Sequence, residues 1–228
     1  MEVYQDREIS FMTDKTRKLL QEVSRRVLIV PTTTRTVEQY ERIDLGLGIF
    51  PYALTCNGGI LLVQGMLDEA WYNCSLERIK ESRDELRKAE KILDKDENRC
   101  FELRNINKLF LFTKSTRPKE TMEALAGQLD SRRVDILSNG MKVYVVPKKL
   151  TKGAAAARLK ERLKGEKMIA AGDSEFDRSM LEFADIALAP QELEPEKESR
   201  DGWIRIEKTK LFSEGLLEYV VGLGIGKR

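Results

Sequence analysis

The chain has 228 residues, 41% apolar and 34% charged, with 40 basic against 38 acidic side chains and a net charge of +2. That length holds one domain, or a small core with an inserted one, and the near-balanced charge supplies no field that would recruit nucleic acid or an anionic membrane. No apolar run approaches the roughly 20 residues needed to span a bilayer, and the absence of histidine excludes Ser-His and Cys-His nucleophile pairs and His-based zinc sites.

The opening Met1-Glu2-Val3-Tyr4-Gln5-Asp6 has neither the basic start nor the apolar stretch of a signal peptide. Cys56, Cys74 and Cys100 lack CxxC spacing and read as reduced, mostly buried thiols, which places the expected location in the cytoplasm. Residues 13–26 read as a helix capped by Thr13, with Asp14 at its positive end and Leu19, Leu20 and Val23 as its apolar stripe. Val27-Leu28-Ile29-Val30 is a continuous apolar run of the kind that forms a strand covered on both faces. A polar helix follows through Ile43, then a short strand over Tyr52–Thr55 closed by Asn57-Gly58-Gly59.

From about Ile60 to Val146 the pattern changes to strands and two helices. Residues 77–97 predict a charged, solvated helix, Leu103 to Phe112 a strand, and Pro118 to Leu129 a helix with proline in its first turn. Val134–Leu137 and Lys142–Val146 flank Asn139-Gly140, a strong hairpin signal. After Pro147, strand and helix alternate again: a helix over 152–163, a strand over Met168–Ala171, a helix over Ser174–Phe183, a strand over Asp185–Leu188, an exposed acidic loop over 191–201 and a helix over Ser213–Leu223. Alternation at both ends around an antiparallel block predicts an α/β fold: a doubly wound, Rossmann-like core over residues 1–60 and 147–228, interrupted by an α+β insertion over 61–146.

Three turns at predicted strand ends carry the chemistry. Gly172-Asp173-Ser174-Glu175-Phe176-Asp177 sets two carboxylates four residues apart on a glycine turn that opens a helix, which suits either a hard divalent cation or a pair of helix caps. Lys152, at the start of the 152–163 helix, suits a phosphate or a solvated position. Val30-Pro31-Thr32-Thr33-Thr34-Arg35 offers hydroxyls and backbone N–H groups to an oxyanion, or simply a helix cap.

The order hydroxyl, lysine, Gly-Asp resembles the haloacid dehalogenase superfamily. Its Thr-Gly-Arg motif is matched by Thr33-Thr34-Arg35, its Ser-Lys-Gly by Thr151-Lys152-Gly153, and its Gly-Asp-Ser with a following Asp by Gly172-Asp173-Ser174 and Asp177. Asn57-Gly58-Gly59 is similar to the Asn-Gly-Ala that precedes the cap in the branch with a large α/β cap, which includes Cof-type sugar phosphatases and sucrose-phosphate phosphatase. The resemblance implies a Mg²⁺-dependent phosphohydrolase for small phosphorylated metabolites such as sugar phosphates. Thr33 and Lys152 would be its catalytic groups, Thr33, Thr34 and Lys152 its phosphate contacts, and Asp173 and Asp177 its metal ligands.

Two departures follow from the same resemblance. The family's Asn before the last Asp is Phe176 here. The first motif, Asp-x-Asp-x-Thr, whose first Asp is the nucleophile, has no counterpart: Tyr4–Ser10 is similar to the segment just after it, and Asp6 and Asp14 follow no apolar strand. The expectation is therefore a hydrolase lineage with little or no turnover in this chain, or a non-catalytic binder of phosphorylated ligands. Asn73, Arg104 and Lys114 are polar cap residues that nothing in the sequence selects from many others. Oligomeric state is not legible.

Overall fold

The computed structural model describes residues 2–4, 7–196 and 201–225. In chain order the strands and helices are β1 (Glu2–Tyr4), β2 (Arg7–Ser10), α1 (Asp14–Ser24), α2 (Val37–Glu41), β3 (Tyr52–Thr55), β4 (Ile60–Val63), β5 (Met66–Leu67), α3 (Glu69–Arg78) and α4 (Arg83–Asp94). They continue with β6 (Arg104–Ile106), β7 (Phe110–Lys114), α5 (Pro118–Ala126), β8 (Val134–Asn139), β9 (Lys142–Pro147) and α6 (Lys152–Leu163). The last are β10 (Ile169–Ala171), α7 (Arg178–Phe183), β11 (Ile186–Pro190), β12 (Trp203–Ile206) and α8 (Phe212–Gly222). The chain divides into two compact units, Met1–Leu67 with Thr151–Arg228, and Asp68–Leu150. The first boundary falls after β5 rather than at residue 60 because Ile60–Val63 is laddered to Tyr52–Thr55, and Met66–Leu67 to β4.

In the first unit, β10, β11 and β12 form a parallel sheet. Its strand residues alternate between two faces, as a pleated strand requires. Ala170, Ala187 and Ala189 pack with Ala156 of α6 and Met180 and Leu181 of α7. On the other face, Ile169, Leu188 and Ile204 pack with Leu19, Leu20 and Val23 of α1 and Leu217 and Val220 of α8. This is the helix–sheet–helix layering expected of an α/β core. β12 was not legible in sequence, and neither was the β1–β2 hairpin. Asp6 and part of the 191–201 loop lie outside the described residues.

One expected strand is absent. Val27–Val30 forms no ladder, and the chain runs beside β3 only from Pro31 onward. There Leu54 N–H donates to the Pro31 carbonyl and Thr33 N–H to that of Leu54, each at 2.8 Å, with Thr32 and Leu54 as a lone parallel bridge. Val27 and Ile29 still pack into the α1/α8 core, so the run is apolar for a good reason, but a strand needs a hydrogen-bonded neighbour about 4.8 Å away. Among the described residues none stands beside Leu28–Val30. β10 is likewise an edge of its sheet. The first unit's strands are thereby divided among separate sheets.

The second unit carries one antiparallel sheet in the order β6-β7-β9-β8. The expected strand over 103–112 is instead a hairpin, because Asn107 and Lys108 both adopt positive φ (49° and 58°) and turn the chain between β6 and β7. The expected 139–140 turn lies one residue further on: Asn139 pairs with Lys142, and Gly140, at φ 58°, takes the first turn position. The 77–97 region is two helices, not one. α4 is not merely solvated, since Leu86, Ala89 and Leu93 pack on Leu111, Val143 and Val145 together with Leu125 of α5. Of the thiols, Cys56 is buried while Cys74 and Cys100 are exposed, so the expectation of mostly buried cysteines holds for one. Burial pushes the Cys56 thiol up to about 12.

Candidate functional site

α6 begins where Thr151, in extended backbone, accepts a hydrogen bond from Ala154 N–H and so caps it. This places Lys152 at the first helical position. Its side chain is not solvated: Lys152 is 6% exposed and its Nζ lies 2.5 Å from Oδ1 of Asp177, itself 5% exposed. A buried ion pair holds only when the remaining donors and acceptors are also satisfied. Asp177 meets that condition, because its Oδ2 accepts from Ser174 Oγ at 2.6 Å, Ser174 N–H at 3.1 Å and Asp173 N–H at 3.2 Å. The carboxylate thus ties Lys152 to the Gly172–Ser174 turn.

Two glycines allow that approach. A Cβ on Gly172 would stand 2.3 Å from Cβ of Asp177, and one on Gly153 would stand 2.2 Å from the Ser179 carbonyl oxygen. Any side chain at either place would separate α6 from the 172–177 turn. Gly153 N–H also donates to Ser179 Oγ at 3.1 Å, joining the first turn of α6 to α7. Ser179 carries no signal in the sequence, whereas Ser174 takes the helix-capping place that the Gly172–Asp177 turn offered. Ser174-x-x-Asp177 is a capping-box spacing, and that pattern was available in the sequence.

Asp173 stands differently. It is exposed, and among the described residues its carboxylate has no partner. The two expected metal ligands therefore differ: one carboxylate is open to solvent, the other is fully used by Lys152 and Ser174. Among the described residues no group of three acidic, cysteine or histidine side chains could hold a metal ion. A hard divalent cation takes six or more oxygen ligands, several from carboxylates in a tight protein site, so the residues described do not fit a Mg²⁺ centre.

Thr33 acts through its backbone as much as its hydroxyl. Its carbonyl accepts from Asn57 N–H at 2.9 Å, and that of Arg35 from Cys56 N–H at 2.8 Å. The 56–58 turn so held packs against α6. Cys56 and Asn57 both take positive φ there, 51° and 58°, a conformation that costs a non-glycine residue about a kcal/mol or more. Thr33 Oγ1 accepts from Arg35 N–H at 3.2 Å, and the Thr34 side chain has no hydrogen bond among the described residues. Arg35 is anchored at one nitrogen: its Nη1 donates to both carboxylate oxygens of Glu2 at 2.7 Å, and Glu2 is 1% exposed while the Arg35 side chain stays partly exposed. The structure thus joins Lys152, Asp177 and the 172–174 turn directly, and links Thr33 to α6 through the 56–58 turn. Asp14 occupies the first turn of α1, exposed, with Thr13 capping Thr16 N–H at 3.0 Å.

Comparison with known proteins bears on what this arrangement is. The sequence profile of the haloacid dehalogenase-like hydrolases matches residues 62–196. No curated protein matches the chain significantly in sequence. Among solved structures, the sucrose-phosphatase from Synechocystis, in complex with sucrose and phosphate, is similar with a TM-score of 0.71 at 16% identity, over 94% of this chain and 93% of that one. A haloacid dehalogenase-like hydrolase from B. subtilis gives 0.62 at 16% identity over 92% and 93%. A trehalose-6-phosphate phosphatase from Aspergillus fumigatus gives 0.58 at 11% identity over 97% and 88%. At these identities the likeness is one of fold.

Proposed function

From the premise that this chain belongs to the haloacid dehalogenase-like hydrolases, we propose that it is a phosphohydrolase-type protein for small phosphorylated metabolites such as sugar phosphates. The observation that carries this reading is the buried Lys152–Asp177 pair locked to the Gly172–Ser174 turn. A buried ammonium beside a strand-end turn is a charge held in place before any ligand arrives, and such preorganised charge is what stabilises a phosphoryl group. Lys152 would neutralise the phosphate, Thr33 and Thr34 would offer it hydroxyls, and Asp173 is the one carboxylate of the turn free to meet solvent or a cation. The sucrose-phosphatase and trehalose-6-phosphate phosphatase folds support the sugar-phosphate class.

A second reading, a non-catalytic binder of phosphorylated ligands, is favoured by one observation. Asp177 has both oxygens committed, so binding Mg²⁺ through it would strip Lys152 of its partner. Weak Mg²⁺ binding, dependent on Asp173, is expected.

Calorimetric titration of the full chain with inorganic phosphate, and release of phosphate from sugar phosphates and p-nitrophenyl phosphate with Mg²⁺, test the reading. Phosphate binding should be lost in Lys152→Met/Asp177→Leu, a pair replacement chosen because exchanging a buried ion pair for apolar groups of similar size preserves folding better than removing one partner. Binding that survives this replacement removes Lys152 from the role. Turnover well below that of an efficient phosphatase is expected for this chain.

A further inference from the structure

Asn139-Gly140 closes the β8–β9 hairpin, and Asn-Gly occurs at one other place in the chain, Asn57-Gly58. Glycine has no Cβ to shield its backbone nitrogen, so that nitrogen can reach the side-chain amide carbon of a preceding asparagine. The remaining asparagines precede Cys74, Arg99, Ile106 and Lys108, which all carry the shield.

The fold treats the two pairs oppositely. Asn57 is 4% exposed, its N–H is held by the Thr33 carbonyl, and Gly58 is pressed on α6, where a Cβ would stand 2.3 Å from that of Ala155. Asn139 and Gly140 are exposed. Among the described residues neither the Asn139 side chain nor the Gly140 N–H has a hydrogen bond. Positive φ at Gly140 but not at Met141 makes this a type II′ turn.

The end of this hairpin is loosely held. Lys142 pairs with Asn139 on one side and with Lys114 on the other. Like charges facing across a ladder are unfavourable, and Lys142 has no carboxylate partner among the described residues. The Asn139–Lys142 pair therefore opens more easily than the buried Val143 and Val145 behind it. Opening is required, because extended backbone at Asn139 holds its side chain away from the next nitrogen.

We infer that Asn139 is a self-modifying site, converted slowly to an acid by attack of the Gly140 nitrogen and then of water. The Gly140 nitrogen gives up its proton and bonds to Cγ of Asn139. The Cγ–Nδ2 bond breaks, and Nδ2 leaves as ammonia. Water then opens the cyclic imide. Opening at Cγ restores the backbone with an aspartate side chain; opening at the other carbonyl leaves isoaspartate, with the backbone routed through the side chain. The sum is asparagine plus water giving an acid plus ammonia, and nothing is oxidised or reduced. The aspartate carboxylate stands across from Lys142, offsets its repulsion with Lys114 and lowers the net charge of +2 by one. The aspartate form thus closes the turn that the asparagine form leaves loose.

The test is incubation of the full chain in weakly alkaline ¹⁸O-water, followed by mass analysis of its peptides. ¹⁸O should enter at Asn139 about tenfold or more faster than at Asn57, whose turn must unfold before it reacts. In urea, with both pairs open, the two rates should converge. Gly140→Ala should nearly stop incorporation at Asn139 in buffer and in urea alike. Lys142→Glu should slow it in buffer only, by about two- to fivefold. Equal rates at Asn57 and Asn139 in the folded chain would show that the fold does not select the site. Incorporation at Asn139 in urea but not in buffer would show that the hairpin protects it. Either result overturns the inference. Asn139→Asp should match or exceed the wild-type chain in resistance to urea, and a weakened chain would overturn the closing of the turn by the new carboxylate.

Discussion

The two units build sheets under opposite conditions. In Asp68–Leu150 every strand has its neighbour, and one face is sealed by α4 and α5 over Leu111, Val143 and Val145. In the other unit, among the described residues, Leu28–Val30 has no ladder partner and β10 is the edge of its sheet. Apolar packing survives there, since Val27, Ile29 and Ile169 share one core with α1 and α8. Ladder pairing is lost there only at Leu28–Val30, among the described residues. The difference separates two things that usually come together: burial is roughly proportional to area and needs no register, whereas a ladder needs a specific neighbour. The candidate phosphate site belongs to this divided unit, and it is held by the Lys152–Asp177 pair together with the end of the β10–β11 ladder, where Gly172 N–H donates to the Leu188 carbonyl at 3.2 Å.

Hydrogen exchange is the widest test of that contrast. Amides of Leu28, Ile29 and Val30 should exchange close to the rate of an open chain, while Val143 and Val145 should be protected by the opening free energy of their unit. A difference of about a thousandfold or more is expected, since local opening spans from near zero to the global stability. Equal protection at the two places would mean that Leu28–Val30 has a ladder partner and would erase the contrast.

The next effect compares what one substitution costs in each unit. Asp177→Ala leaves the Lys152 ammonium buried without compensation, at a cost of about 3–5 kcal/mol. Leu111→Ala in the paired sheet opens a cavity at a cost of about 3 kcal/mol. Urea unfolding followed by amide resonances of each unit should show the first loss in the 151–190 region and the second in β7 and β9. A negligible cost for Asp177→Ala would show that Lys152 reaches solvent easily and is not the preformed charge on which the site rests.

How far these contrasts were readable in sequence depends on where their causes lie. The Lys152–Leu163 helix, the Thr13 cap and the Tyr52–Thr55 strand rest on local periodicity and capping chemistry, and they appear at the expected places. Val27–Val30 reads as a strand because its apolarity is local, while the neighbour it lacks is not. The Asn107-Lys108 turn was hidden because lysine at positive φ carries no sequence signal, unlike Gly140. At the site, Gly172 and Asp173 were legible from the turn they form. Asp177, expected as a metal ligand, pairs with a lysine 25 residues earlier, and no short-range pattern reports such a pairing. The Phe101, Phe112 and Tyr144 cluster was not legible because Phe112 and Tyr144 meet only through the β7–β9 register and Phe101 reaches Phe112 from outside the sheet.

The smallest effect is expected at Asp14, and it tests whether this early acid substitutes for the family's nucleophile. Asp14 sits exposed in the first turn of α1, at the end where the helix dipole favours a negative charge. Thr13 already caps that turn, and Thr13 Oγ1 also reaches Glu214 at 2.8 Å, tying α1 to α8. Everything about Asp14 is thus accounted for by helix electrostatics, and nothing places it beside Lys152. Asp14→Asn should lower stability by less than about 1 kcal/mol and leave phosphate binding and any residual release of phosphate unchanged. If turnover is measurable and the substitution abolishes it, then the carboxylate does attack phosphorus, the incomplete sheet is no obstacle to catalysis, and the non-catalytic reading falls. An unchanged rate, with binding still lost in Lys152→Met/Asp177→Leu, leaves Lys152 as the residue on which the site turns.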